Sequence, residues 1–63
     1  MRDPERLDAF YDKMKEIHKG YFPDWRFGQF MCNFLSWLGH DPFYMEENRM
    51  IEKLYEYVES VYH

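Results

Sequence analysis

The chain is short of several things, and each shortage excludes something. It has one cysteine, Cys32, in 63 residues, so no internal disulfide can form. A single thiol of a residue type that is usually buried suits a reducing compartment. It has no repeat, low-complexity segment or linker, so one small domain is expected over residues 1–63. It has no long apolar run. The most apolar stretch, residues 27–38, is interrupted by Gly28, Gln29, Asn33 and Ser36 and falls short of the about 20 residues that span a bilayer. The first residues, Met1-Arg2-Asp3-Pro4-Glu5, hold no apolar run either. The expectation is a cytoplasmic chain with no signal peptide and no membrane partner. Finally, it has no basic stripe. The formal net charge is −4, and the acidic excess sits after residue 40, where Arg49 and Lys53 face Asp41, Glu46, Glu47, Glu52, Glu56 and Glu59. Without clustered cations there is nothing to release counterions from a phosphate backbone, so nucleic acid is not an expected partner.

What the chain does have is aromatic side chains: six Phe, six Tyr and two Trp. Burying an aromatic contributes roughly 1.5–3 kcal/mol, enough in number for so short a chain to fold without a disulfide or a metal.

The apolar positions recur at helical spacing. Leu7, Phe10, Tyr11, Met14, Ile17, His18 and Tyr21 predict an amphipathic helix over 4–19, capped by Asp3 with Pro4 in its first turn and ended by Gly20. Phe27, Phe30, Met31, Phe34, Leu35 and Leu38 predict a second helix over 24–38, capped by Asp24 and ended by Gly39. This most aromatic of the helices is the expected centre of the fold, and Gly28 inside it suggests close approach of another element. Met50, Ile51, Leu54, Tyr55, Val58, Val61 and Tyr62 predict a third helix over 47–62, opened by acidic residues as the helix dipole prefers. The expected architecture is all-α, a small three-helix bundle with short loops. The 39–45 loop carries Phe43, Tyr44 and Met45 and is expected to fold back onto the helices.

The run Pro23-Asp24-x-Arg26-x-Gly28-Gln29, then Asn33, then Asp41-Pro42-Phe43-Tyr44-x-Glu46-Glu47 resembles the pattern of a family of small uncharacterised bacterial and phage proteins. The likeness covers nearly the whole chain. Relatives tend to carry an aliphatic residue at position 25, Leu or Ile at 30 and 31, and Glu-Asp at 46–47. The resemblance implies a compact helical fold and brings no activity or catalytic residue with it.

Four groups of side chains invite a functional reading. Arg26, Gln29, Asn33 and Ser36 share one side of the second helix, where such a row can read a peptide or a base edge. The plainer account is a structural network in which Arg26 forms a salt bridge with Asp41, Glu46 or Glu47 and so pins the loop. Cys32, His18 and His40 contain a thiol and possible bases, but no spacing sets a base beside the thiol, and none matches a zinc site. Asp41, Glu46 and Glu47 are too sparse for a calcium loop, so no metal or cofactor is expected. Glu52, Glu56 and Glu59 form an acidic row, blunted by Arg49 and Lys53, that reads as a solvated face.

These readings favour a non-enzymatic, acidic protein-interaction module that binds a protein partner or a second copy of itself. The expected contact side of the second helix is uncharged and runs through Trp25, Gln29, Asn33 and Ser36. One alternative is an inhibitor from a phage or mobile element, of the anti-CRISPR kind, that binds a host defence complex. Another is a small enzyme built on Cys32.

Overall fold

The computed structural model describes residues 2–62, so positions 1 and 63 of the expected domain lie outside the described range. The chain forms three helices, α1 (Arg6–Tyr21), α2 (Phe27–Leu38) and α3 (Glu47–Tyr62). No strand occurs among the described residues. The all-α reading holds, and the bounds of α3 match their expectation.

α1 begins and ends two residues later than its expected 4–19. The N-cap position falls on Glu5, which has no side-chain cap, so Asp3 is not the cap of the helix; its Oδ1 accepts the Glu5 N–H at 3.0 Å in the turn before it. The first turn is then closed by bonds from the N–H groups of Arg6, Leu7 and Asp8 to the carbonyls of Asp3, Pro4 and Glu5. These i→i−3 bonds make a tight 3₁₀-type entry rather than an α turn. Gly20 does not stop the helix. The Phe22 N–H still donates to the His18 carbonyl at 3.1 Å, and the stop comes from Pro23, which disfavours helical backbone at Phe22.

α2 starts at Phe27, not at residue 24. The Trp25 N–H donates to the Phe22 carbonyl at 3.1 Å, and the Trp25 ring stacks on the Phe22 ring at 4.4 Å and 9°. This turn displaces the start to Arg26, which sits in extended backbone (φ −65°, ψ 155°) at the N-cap position. Gln29 reaches back, its Oε1 accepting the Arg26 N–H at 2.7 Å, which is one half of a capping box. Asp24 is therefore not the cap. The far end follows expectation: Gly39 adopts φ +80°, and its N–H donates to the Leu35 carbonyl at 3.2 Å.

α1 and α3 run side by side in the same direction. Arg6 Nε donates to Glu47 Oε1 at 2.6 Å near their starts, and the Tyr62 hydroxyl donates to the Tyr21 carbonyl near their ends. α3 packs along both other helices. α1 and α2 meet through the Phe22–Trp25 turn and through the His18 ring, 4.9 Å from that of Phe30. The helix that organises the fold is thus α3, a correction to the expectation for α2. The physical reason is length and position. α3 spans 16 residues against the 12 of α2, and its stripe of Leu54, Tyr57 and Val58 faces both neighbours.

The core consists of Ile17, Phe22, Phe30, Phe34, Leu54, Tyr57 and Val58, with Met14, Trp25, Met31, Met50 and Ile51 packed around it. Its rings interlock at 5–6 Å: Phe22 with Phe30, Phe22 with Tyr57, and Phe34 with Tyr57. Tyr57, absent from the expected face of α3, lies at the centre of this cluster. Burial pushes its phenol above the ordinary tyrosine range, because the phenolate would be desolvated.

Candidate functional site

The residues expected to bind a partner fall into two groups. Gln29, Asn33 and Ser36 lie exposed on α2, beside exposed Cys32, Phe27 and Leu35. Trp25 leaves the row. It is half-buried, stacked on Phe22, and its carbonyl is hydrogen-bonded to His18 Nε2 at 2.7 Å. It packs against one end of the core. Gln29 has a second duty as the capping acceptor described above.

The 39–45 loop does not cover this side. Its aromatic residues point away: Phe43 is 76% and Tyr44 90% exposed. Two short bonds shape the loop, from the Phe43 N–H to Asp41 Oδ1 at 3.0 Å and from the Met45 N–H to the Pro42 carbonyl at 2.9 Å. They raise the two rings as an edge-to-face pair, 4.8 Å between centroids. The expectation that the loop folds back onto the helices is met only by half-buried Pro42 and Met45.

The expected salt bridge from Arg26 to Asp41, Glu46 or Glu47 does not form. Arg26 is exposed at the start of α2, whereas the loop follows the end of that helix. Glu46 and Glu47 pair with Arg2 and Arg6 instead. The parallel alignment of α1 and α3 brings their starting turns together, and this decides the partners. The loop is pinned, but by α1.

Gly28 is also placed differently from expectation. It sits in the first turn of α2, and a Cβ built on it would meet nothing within 4 Å. No neighbouring element approaches it.

α2 therefore presents an open, uncharged side. Gly28, Cys32 and Ser36 succeed one another at four-residue spacing, flanked by Phe27 and Leu35 on one border and by Gln29 and Asn33 on the other. From residue 27 to residue 38 there is no charged side chain. The outer sides of α1 and α3 contrast with this, carrying the ion pairs Lys13–Glu16, Arg49–Glu52 and Lys53–Glu56.

The residues that would support chemistry are dispersed. Cys32 is a free, exposed thiol with no hydrogen bond to a histidine among the described residues. His18 is engaged with Trp25, and His40 lies in the exposed loop. No group of three His, Cys, Asp or Glu side chains converges among the described residues. No helix among them is long and apolar enough to cross a membrane.

A groove lies between the starting halves of α1 and α3. This groove of about 430 Å³ is walled by Ala9, Phe10 and Ile51 and rimmed by Arg6, Lys13, Glu46, Glu47 and Asn48. The reading of the sequence missed it, because it depends on which turns of α1 and α3 are aligned. Comparison with protein-family models, curated proteins and solved structures found no match for the chain.

Proposed function

We propose that this chain is a cytoplasmic, non-enzymatic protein-interaction module, and that the open side of α2 is its contact surface. One observation carries the reading. A helix that is exposed along Phe27, Gln29, Cys32, Asn33, Leu35 and Ser36 carries no charge there, whereas exposed helix faces ordinarily bear Lys and Glu. Small residues at four-residue spacing let another backbone approach closely, and the flanking Phe27 and Leu35 supply apolar area at the border. Gln29 and Asn33 add amides that hydrogen-bond without the desolvation cost of a charge. The single thiol is consistent with a reducing compartment.

The test is capture of binding proteins from the native host with wild-type chain and with Ser36→Lys. Ser36 is exposed and is not part of the buried core, so the variant is expected to keep its helical circular dichroism and melting curve. Gln29→Lys is a poorer choice, because it also removes the capping acceptor. Loss of the captured protein from Ser36→Lys alone supports the reading. An identical set captured by both chains places the contact elsewhere. Alkylation of Cys32 by iodoacetamide near neutral pH, much faster than a free thiol, would instead revive an enzyme.

A further inference from the structure

One of the six tyrosines is set apart from the rest. Tyr11, Tyr21, Tyr55, Tyr57 and Tyr62 all lie on helices, where the backbone is held by its own hydrogen-bond ladder. Tyr57 is buried, and the Tyr62 hydroxyl is engaged with the Tyr21 carbonyl. Tyr44 alone lies between helices. The bond from the Met45 N–H to the Pro42 carbonyl makes residues 42–45 a β-turn, with Phe43 and Tyr44 at its two corners. Tyr44 is 90% exposed, against 60% for the next most exposed tyrosines, Tyr11 and Tyr62. Its ring meets that of Phe43 edge to face, and its hydroxyl has no hydrogen-bond partner among the described residues.

The charge around Tyr44 has one sign. Asp41 lies three residues before it, and Glu46 and Glu47 lie two and three residues after it. No Lys or Arg occurs from residue 27 to residue 48. Asp41 forms no ion pair; its Oδ1 accepts the Phe43 N–H. We infer that Tyr44 is a phosphorylation site, the acceptor for an external tyrosine kinase. The phenol oxygen attacks the γ-phosphorus of a nucleoside triphosphate. The bond from that phosphorus to the β-phosphate oxygen breaks, the nucleoside diphosphate leaves, and the phenolic proton passes to the kinase's catalytic base. Kinases select their substrates partly by the charge flanking the acceptor, and Asp41, Glu46 and Glu47 suit a cationic cleft. The turn is held by two hydrogen bonds, so it opens to an extended strand more readily than a helix unwinds. The product adds a charge of about −1.5 to −2 just before the N-terminus of α3, where the helix dipole favours it. Arg2 and Arg6 stand at the same end of the molecule. The ring lies outside the core, so the fold accepts the modification. This site uses no residue of α2 and does not depend on the function proposed above.

The test is incubation of the whole chain with magnesium ATP and a purified tyrosine kinase that accepts acidic peptides, followed by peptide mass spectrometry. Label at Tyr44 is expected to appear about tenfold faster than at any other tyrosine, since a helical site must first unwind. The circular dichroism spectrum should not change. Tyr44→Phe is expected to remove nearly all of the label. Asp41→Asn keeps the acceptor for the Phe43 N–H and removes the charge, and is expected to slow labelling several-fold at an unchanged melting temperature. Chain recovered from the native host with phosphatases inhibited is expected to carry phosphate at Tyr44. Absence of label, label mainly on another tyrosine, or label that survives Tyr44→Phe overturns the inference. So does a rate indifferent to Asp41→Asn, or chain from the host that is unmodified at Tyr44 under every growth condition.

Discussion

Gly28 shows how a single residue changes meaning with its position. In the interior of a helix it would cost about 1 kcal/mol against Ala, and a close neighbour would have to justify it. In the first turn of α2, with open space where its Cβ would be, nothing does. Gly28→Ala is expected to stabilise the fold by about 0.5 kcal/mol, chiefly by narrowing the unfolded ensemble. A lower melting temperature for this variant would mean that something does occupy the site. Gln29, one residue on, should behave in the opposite way. Its Oε1 holds the Arg26 N–H, and Gln29→Ala should cost about 1 kcal/mol, the net worth of one hydrogen bond; denaturant unfolding with no change in midpoint would show the cap to be idle. Tyr57 gives a pH dependence. Its folded phenol ionises above the unfolded value of about 10, so the unfolded chain loses that proton first. The resulting stability is complete below pH 10 and is lost as pH rises through the folded value. Tyr57→Phe should therefore make the fall in melting temperature between pH 9 and 11 shallower, and parallel curves for the two chains would refute the assignment.

The helices themselves differ in how far local sequence describes them. The start of α3 was readable because acids open it and its apolar stripe begins at Met50 without competition. Tyr57 is readable too: it lies three residues beyond Leu54 on the same stripe, whereas Tyr55, expected on the apolar face, is exposed. The start of α2 was not readable locally. Asp24 has the chemistry of a cap, but stacking of Trp25 on Phe22 holds the turn open for two more residues, and what favours that stacking is the packing of both rings in the core, which is tertiary. The end of α2 rests on one backbone angle. Gly39 is left-handed, and the nearest atom to a Cβ built there, the Trp37 carbonyl oxygen, is at an ordinary 3.8 Å. The penalty for Gly39→Ala is then conformational rather than steric, about 1–2 kcal/mol. Gly39→Asn should recover part of it, because Asn tolerates this region better; equal losses for both variants would point to a packing role instead.

At the scale of the whole molecule, aromatic content and core size do not match. Of the six Phe, six Tyr and two Trp, only Phe22, Phe30, Phe34 and Tyr57 are buried. A chain of this length has too little interior for the rest, and the surplus is spread over all three helices and both connections, with Phe43 and Tyr44 of the 39–45 loop the most exposed. The Arg26 pairing failed at this scale as well, because helix alignment, not proximity in sequence, brings Glu46 and Glu47 to Arg2 and Arg6. The same alignment sets the order in which the molecule should open. α3 is held by both neighbours, and Leu54 at its middle is fully buried. α2 is held along one side only. Opening α2 exposes Phe30 and Phe34 but leaves α1 and α3 in contact, whereas opening α3 removes the partner of both. Amide hydrogen exchange under native conditions should therefore be slowest around residues 54–58, at the free energy of global unfolding, and faster in α2, through a smaller opening. Added denaturant should raise exchange in α3 with the full slope of unfolding and exchange in α2 with a lesser one. If α2 exchanges as slowly as α3 with the same slope, the three helices open as one unit. If it is the slowest of all, α2 is the organising helix after all, and the role assigned to α3 is wrong.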